Sequence, residues 1–483
     1  MRYLKRSFFF IIIYILLFSY SIPVYAVNTK PTAEQKAAAE ERKFLTVESN
    51  EWKGWPEGPV LGAEAAILMD FNTDTILYSK NIHEQLYPAS TTKMMTALLT
   101  IENTSMDEIV TFSHEAIHNV DSDSSRIGID VGEQLTVEQC LYGLMLGSAN
   151  EVAYALAEHV AGSLDAFVDM MNERAAALGC NNTHFINANG LPNEDHYTCA
   201  FDLALIAKEC YRNEAFANIS GTRNYTIPAT NIQSEERIMD NHHLMVQGFR
   251  YEYNGFIGGK TGYTKDARQT LVSCAERNGM RLICVIMKEE SPDQFIDTQK
   301  LFDYGFDGFQ ILNIKANETR YTLDSSTFFK TDLDIMGSSK QALDLNDSGT
   351  VIIPKTASFE DADVELTYAD GSEGYVATLD YYFSGNHVGF TTLDYAHSNK
   401  EVFEFANVLR ASMEGNSPQT LKRNRNVVFV NVRRIIIILA SVLGAILIFL
   451  FMKSFILSYS YSGRHMKNIE KKRYRKRKKN MKL

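Results

Sequence analysis

Three short stretches of this 483-residue chain hold side chains able to make and break an acyl bond. The first is Ser90-Thr91-Thr92-Lys93, the only Ser-x-x-Lys in the chain. Residues three apart share one face of a helix. A serine in a first helical turn also has free backbone N–H groups around it and the positive end of the dipole beneath it. Its hydroxyl attacks only when a base takes the proton. Lys93 can be that base only if neutral, a state favoured by burial and by a second cation, for which Lys260 is the candidate. The second stretch is Ser148-Ala149-Asn150, in a break between two helical runs. Asn150 can hold the lysine and a substrate amide, and Ser148 can relay a proton to a leaving amine. Alone, this stretch reads better as a cap for the helix that starts at Glu151. The third is Lys260-Thr261-Gly262, followed by Tyr263 and Thr264. A cation and a hydroxyl suit a carboxylate. Gly262 lacks a Cβ, so a substrate backbone can lie along the strand, with the N–H groups of Ser90 and Tyr263 as an oxyanion hole.

These groups need a scaffold that brings three distant segments together. Ala65 to Lys80 reads as two strands joined across Phe71-Asn72-Thr73-Asp74. Gln269 to Cys274 and Arg281 to Met287 form a second strand pair around Asn278-Gly279. Helical signals fill the space between: Pro88 before a run from Ser90 to Ile101, and a capping box at Thr136–Gln139. Further on, a helix from Glu151 stops at Gly162, and another opens at Ser163 and stops at Gly179. Strand pair, helices, strand pair predicts an α/β fold: a mixed sheet with strands from both ends of the region and helices packed on it. After Gly308 the texture changes. Short strands at Thr350–Ile353, Val364–Tyr368, Tyr375–Phe383 and Val388–Leu393 predict a small all-β sandwich over residues 308–400.

The ends read differently again. Residues 1–26 have a basic start, an apolar run from Phe8 to Phe18 and a Val24-Tyr25-Ala26 cleavage pattern, as in a signal peptide. Residues 27–54 read as a tether or loose helix. Ile435 to Met452 is 18 residues without a charge, so residues 435–457 are expected to span a membrane after a linker at 401–434. The tail, residues 458–483, carries eleven Lys or Arg and one acid between Arg464 and Lys482, which belongs on the cytoplasmic side. The expectation is a single-pass cell-membrane protein with everything between signal and span outside the cell. The net charge of −11 conceals an acidic exported part, which argues against nucleic-acid binding. Six cysteines lack metal spacing; Cys274 and Cys284 flank a turn and can sit cross-strand, yet all six read more simply as small buried hydrophobes.

The ordered set Ser-x-x-Lys, Ser-x-Asn, Lys-Thr-Gly resembles the signature of penicillin-recognising serine enzymes. The flanking text, Tyr87-Pro88-Ala89-Ser90-Thr91-Thr92-Lys93-Met94-Met95-Thr96-Ala97 and Gly258-Gly259-Lys260-Thr261-Gly262-Tyr263-Thr264, looks like the low-molecular-mass D-alanyl-D-alanine carboxypeptidases. Asn189-Gly190-Leu191 and Asp202 match the same family, and the likeness covers about residues 55 to 300. It implies a β-lactamase-like catalytic domain at 55–307. In that domain Ser90 would form the acyl-enzyme and Lys93 act as base. Ser148 and Asn150 would move protons and position groups, and Lys260 and Thr261 would bind the terminal carboxylate of D-Ala-D-Ala. The implied partners are the peptidoglycan stem peptide and β-lactam antibiotics; no metal or cofactor is implied, and Asn241-His242-His243 has no third ligand at suitable spacing. Two features depart from the family: Ala267-Arg268 stands where Ala-Gly is common, and the anchor looks like a span rather than an interfacial helix. The rival readings are a β-lactamase, which would use a further glutamate such as Glu151 or Glu158, an inactive penicillin- or wall-binding relative, and a wall scaffold.

Overall fold

A computed structural model describes residues 30–120, 124–320, 343–369 and 374–395. The expected signal peptide, linker, membrane span and basic tail lie outside these residues. Among the described residues no helix is long and apolar enough to cross a membrane.

Five antiparallel strands make the central sheet: β1 (Ala65–Asp70), β2 (Ile76–Lys80), β7 (Phe256–Thr264), β8 (Arg268–Arg277) and β9 (Met280–Glu289), in the order β2-β1-β9-β8-β7. Between β2 and β7 in the chain, β3 (Ile109–Thr111) pairs with β4 (Gln134–Thr136), and β5 (Asn224–Ile227) with β6 (Arg237–Asp240), as two small sheets. The chain's early strand pair thus docks beside its late hairpin, with β1 against β9 from Ala65↔Met287 to Asp70↔Leu282. Side chains alternate across a strand. Ala65, Ile67 and Met69 therefore enter one core while Ala66 and Leu68 enter the other. Burial on both faces explains why these strands read as continuous apolar runs rather than an alternating pattern.

The first core is covered by helices α2 (Lys93–Asn103), α4 (Val137–Met145), α5 (Asn150–Ala161), α6 (Leu164–Ala177), α7 (Ala200–Tyr211) and α8 (Glu214–Gly221). Their ends follow the sequence signals. Thr136 and Gln139 close a reciprocal capping box on α4, Ser163 caps α6, and Gly162 takes a left-handed φ of 78° after α5. The second core lies under α9 (Asp293–Gly308) and continues into a C-terminal sheet. That sheet has β10 (Phe309–Asn313), β11 (Leu343–Leu345), β12 (Thr350–Pro354), β13 (Asp363–Tyr368), β14 (Tyr375–Phe383) and β15 (Asn386–Tyr395), ordered β10-β12-β15-β14-β13 with β11 also on β15. Among the described residues hydrogen bonds join these six strands into one antiparallel set, and consecutive residues of β12, Val351 to Ile353, are all buried. Trp55 packs against Phe309 and Phe383 of this set at ring distances of 5.3 and 6.1 Å.

One further expectation changes and another holds. The tether contains a helix, α1 (Ala33–Arg42), with a Thr32–Gln35 capping box, and its last residue is buried rather than loose. The cysteines are all free and buried. Cys284 pairs with Ser273 while Cys274 pairs with Ile283, so Cys274 faces the first core and Cys284 the second. A one-residue offset puts their sulfurs on opposite sides of the sheet.

Candidate active site

Ser90 sits in a 3-10 turn, Ala89–Thr92, that leads into α2, rather than in a first α-helical turn. Ala89 before it has a left-handed φ of 50°. A residue with a Cβ holds that conformation at a cost of about 1–3 kcal/mol, and only where its surroundings fix it. They do so from two sides. The hydroxyls of Thr91 and Thr270 both donate to the Pro88 carbonyl, at 2.7 and 2.9 Å. Opposite them Gly190, φ 85°, crosses so close that a Cβ would stand 1.8 Å from the Ala89 oxygen. The Asn189-Gly190 loop and β8 grip the nucleophile turn between them.

Lys93 is fully buried, and every polar contact of its amine is to a neutral group. Nζ lies 2.6 Å from Asn150 Oδ1, 2.6 Å from the Asn189 carbonyl and 2.9 Å from Ser90 Oγ. A neutral amine has two N–H donors and one lone pair. Asn150 and Asn189 accept the two donors, and the lone pair is left facing the serine hydroxyl. Burial first, and then the charge of Lys260, drive the Lys93 pKa well below the usual lysine range, with Glu151 opposing. The group is thereby arranged as a general base.

Asn150 opens α5, and its backbone N–H donates to Ser125 O at 2.9 Å. Ser148, two residues earlier, is buried with a left-handed φ of 55° in the break between α4 and α5. Lys260 is buried on β7, its Nζ donating to Thr261 O at 3.0 Å, and burial pushes its pKa down to about 7. A bound carboxylate would favour its charged form. At Gly262 a Cβ would sit 3.0 Å from the Ser90 nitrogen, so β7 runs directly beside the nucleophile turn. Tyr263 lies under the Arg268 guanidinium, 5.6 Å from it, and the Thr264 hydroxyl accepts from Ala267 N in the turn to β8.

Ser90, Lys93 and Asn150 are thus joined by direct contacts, Gly262 meets Ser90, and Lys260 acts on Lys93 through its charge. Sequence reasoning missed the part played by Asn189, because a backbone carbonyl has no residue signature. It also marked Arg268 as a departure without placing it; the side chain turns to Glu290 and grips both carboxylate oxygens, at 3.0 and 2.6 Å. The two glutamates considered as water-positioning groups each have a partner of their own, although Glu151 Oε2 is buried without a hydrogen-bond partner. Glu151 accepts from the Ile127 and Gly128 backbone at 2.7 and 3.2 Å, and Glu158 accepts from Ser113 at 2.6 Å. His243 bonds to Ser273 at 2.9 Å and Asn241 to the backbone of Ser220 and Thr222. Among the described residues no group of three or more His, Cys, Asp or Glu is placed to hold a metal.

Residues 55–291, which contain all these groups, match the family model of the D-alanyl-D-alanine carboxypeptidases. The chain is 34% identical over 261 residues to the D-alanyl-D-alanine carboxypeptidase of Streptomyces sp. (strain K15), covering 51% of this chain and 88% of that one. The chain belongs to the D-alanyl-D-alanine carboxypeptidase family. A second family member, DacF of Bacillus subtilis (strain 168), is 33% identical over 265 residues, 53% of this chain; the match spans 66% of DacF, just under two thirds of its length. Among solved structures, penicillin binding protein 5 from Haemophilus influenzae shares the carboxypeptidase-family fold with a TM-score of 0.56 at 25% identity. That likeness covers 70% of this chain and 98% of the other, so it runs past the catalytic region into the C-terminal sheet.

Proposed function

We propose that this chain hydrolyses the terminal D-Ala-D-Ala bond of peptidoglycan stem peptides through an acyl-enzyme on Ser90, releasing D-alanine, and that β-lactams acylate the same serine. The observation that carries the reading is the Lys93 amine, buried without a carboxylate partner and 2.9 Å from Ser90 Oγ. Lys93 takes the Ser90 proton as Oγ bonds to the penultimate carbonyl carbon. The oxyanion is held by the N–H groups of Ser90 and Tyr263. Ser148 passes the proton to the leaving nitrogen, the C–N bond breaks, and D-alanine departs; water then cleaves the ester. Asn150 keeps Lys93 in place and meets the substrate amide. Lys260, Thr261 and Thr264 line the carboxylate end, and Gly262 leaves room for the peptide backbone. The partners of Glu151 and Glu158 favour this reading over a β-lactamase.

We also infer that the reaction takes place on the outer side of the cell membrane. This inference rests on the signal-like residues 1–26, the apolar residues 435–457 and the basic tail, and not on the folded region. Carbonate-resistant membrane pelleting that is lost on truncation at residue 430 would support it; pelleting that survives the truncation would refute the span.

Intact-mass analysis after brief exposure to benzylpenicillin, with Ser90→Ala as control, tests the activity. One penicillin adduct on the wild type and none on the variant, with D-alanine release from a D-Ala-D-Ala peptide, is the expected result. Consumption of the antibiotic without an adduct would point to a β-lactamase, and an intact antibiotic without an adduct to an inactive relative.

A further inference from the structure

Arg268 adopts a left-handed φ of 55° at the start of β8, a conformation that a long side chain holds only when anchored. Its anchor is Glu290, gripped by Nε at 3.0 Å and Nη2 at 2.6 Å, while the guanidinium lies over the Tyr263 ring and Nη1 comes within 3.5 Å of the Tyr263 hydroxyl. Glu290 is itself buried and has a second cation, Arg42, at 3.6 Å. Arg42 ends α1, ahead of residues 55–291 that match the family model. It is locked where it stands. Its Nε donates to Gly62 O at 2.8 Å, and its own carbonyl accepts from the buried Lys80 amine at 2.9 Å. Gly62 leaves no slack, since a Cβ there would lie 2.8 Å from Glu289. A line of contacts, buried at Arg42 and Glu290 and half-buried at Arg268 and Tyr263, therefore runs from the N-terminal helix to the tyrosine beside Gly262.

We propose that α1 is a positioning element of the active site: Arg42 acts through Glu290 and Arg268 to hold Tyr263, and with it the substrate strand, at its distance from Ser90. Arg42 touches no reacting atom; it fixes Glu290 so that Glu290 can hold the strained Arg268. A carboxylate gripped by one guanidinium and paired with a second at 3.6 Å moves when either charge is lost, and a small displacement at an oxyanion donor lowers the rate steeply. The specificity of the substrate strand in this chain thus depends on a helix outside the catalytic domain's family boundary. The proposal rests on the acyl-enzyme reading given above.

The test is a double-mutant cycle on the full chain, comparing wild type, Arg42→Met, Arg268→Met and the double variant. The readouts are the second-order rate of acylation by a fluorescent penicillin, and kcat and KM for D-alanine release. Arg42→Met is expected to lower the acylation constant about tenfold in the wild type and to have no further effect once Arg268 is Met, because the line is already cut. An equal loss in both backgrounds, or a lowered melting temperature with unchanged acylation, would overturn the proposal. Should Arg42→Met fail to fold, Glu290→Gln takes its place in the same cycle with the same two outcomes. A wild type that no penicillin acylates would sink the functional reading together with this one, whereas additive losses in an acylated protein would sink this one alone.

Discussion

Lys93 and Lys80 are both long cations taken almost wholly out of water, yet they end in different chemical states. Both amines bond to neutral oxygens, Lys80 to the carbonyls of Arg42 and Leu61, Lys93 to an amide, a carbonyl and a hydroxyl. The difference is in the next charges out. Burial lowers the Lys80 pKa to about 8, opposed by Asp297 and, once it ionises, by Glu289. Lys93 has another lysine as its strongest charged neighbour, so burial and repulsion act in the same direction. Burial alone makes a structural cation when carboxylates are near. It makes a base when a second cation stands in their place.

The largest test of that contrast is Lys93→Met. Loss of a general base costs about 10²–10⁴-fold, so the rate of acylation by a fluorescent penicillin should fall on that scale while the fold survives. Retained fast acylation would remove Lys93 from the role. Next comes Lys260→Gln. The free enzyme needs Lys93 neutral and Lys260 charged, so acylation should rise with pH through the lowered Lys93 value and fall as Lys260 loses its proton at about 7. Without Lys260 the Lys93 pKa climbs, which moves the rise to higher pH and abolishes the fall; a pH–rate profile with the acid limb unmoved would break the coupling.

A smaller effect belongs to the Lys80 side. Burial and the adjacent Asp297 raise the Glu289 pKa above its ordinary 4.5. The folded chain then keeps a proton that the unfolded chain has lost, so this group's contribution to stability falls as pH rises from that value toward neutrality. Glu289→Gln should flatten the melting temperature between about pH 5 and 8; an unchanged slope would show that Glu289 is ionised in the fold. Smallest of all, the six buried thiols should stay silent to a thiol reagent until the chain unfolds, since burial raises the pKa of Cys140, Cys180, Cys199, Cys210, Cys274 and Cys284. Labelling of any of them in the native protein would contradict that burial.

What the sequence made legible follows from where the chemistry is stored. Ser90, Lys93, Asn150 and Gly262 act through side chains, or through the lack of one, so their types and order reveal them. Strand pairing from both ends of the region was readable because turn residues mark both hairpins and caps mark the helices as far as Gly179; α7 and α8 carried no signal that was read. Asn189 acts through its backbone, and only the neighbouring glycine hinted at a close crossing. Arg268 was visible as an oddity, but its partner Glu290 lies 22 residues on at the end of another strand, and nothing local couples the two. The offset that separates Cys274 from Cys284 is a matter of register, which spacing alone leaves open. Of the C-terminal strands β14 alternates between buried and half-buried residues, but alternation reports a buried face without saying what covers it; Trp55, packed on Phe383, is part of that cover.

The junction at Trp55 has an optical consequence. The chain has two tryptophans, Trp52 and Trp55, 5.3 Å apart at the seam between the catalytic core and the C-terminal sheet. The Trp55 indole N–H donates to Leu77 O at 2.8 Å, on an edge strand of the central sheet. Tryptophan fluorescence, excited selectively over the tyrosines, therefore watches that one seam. Excitation of these indoles during heating would follow the parting of sheet from core directly, and a red shift that coincides with loss of acylation would mark the two halves as a single melting unit.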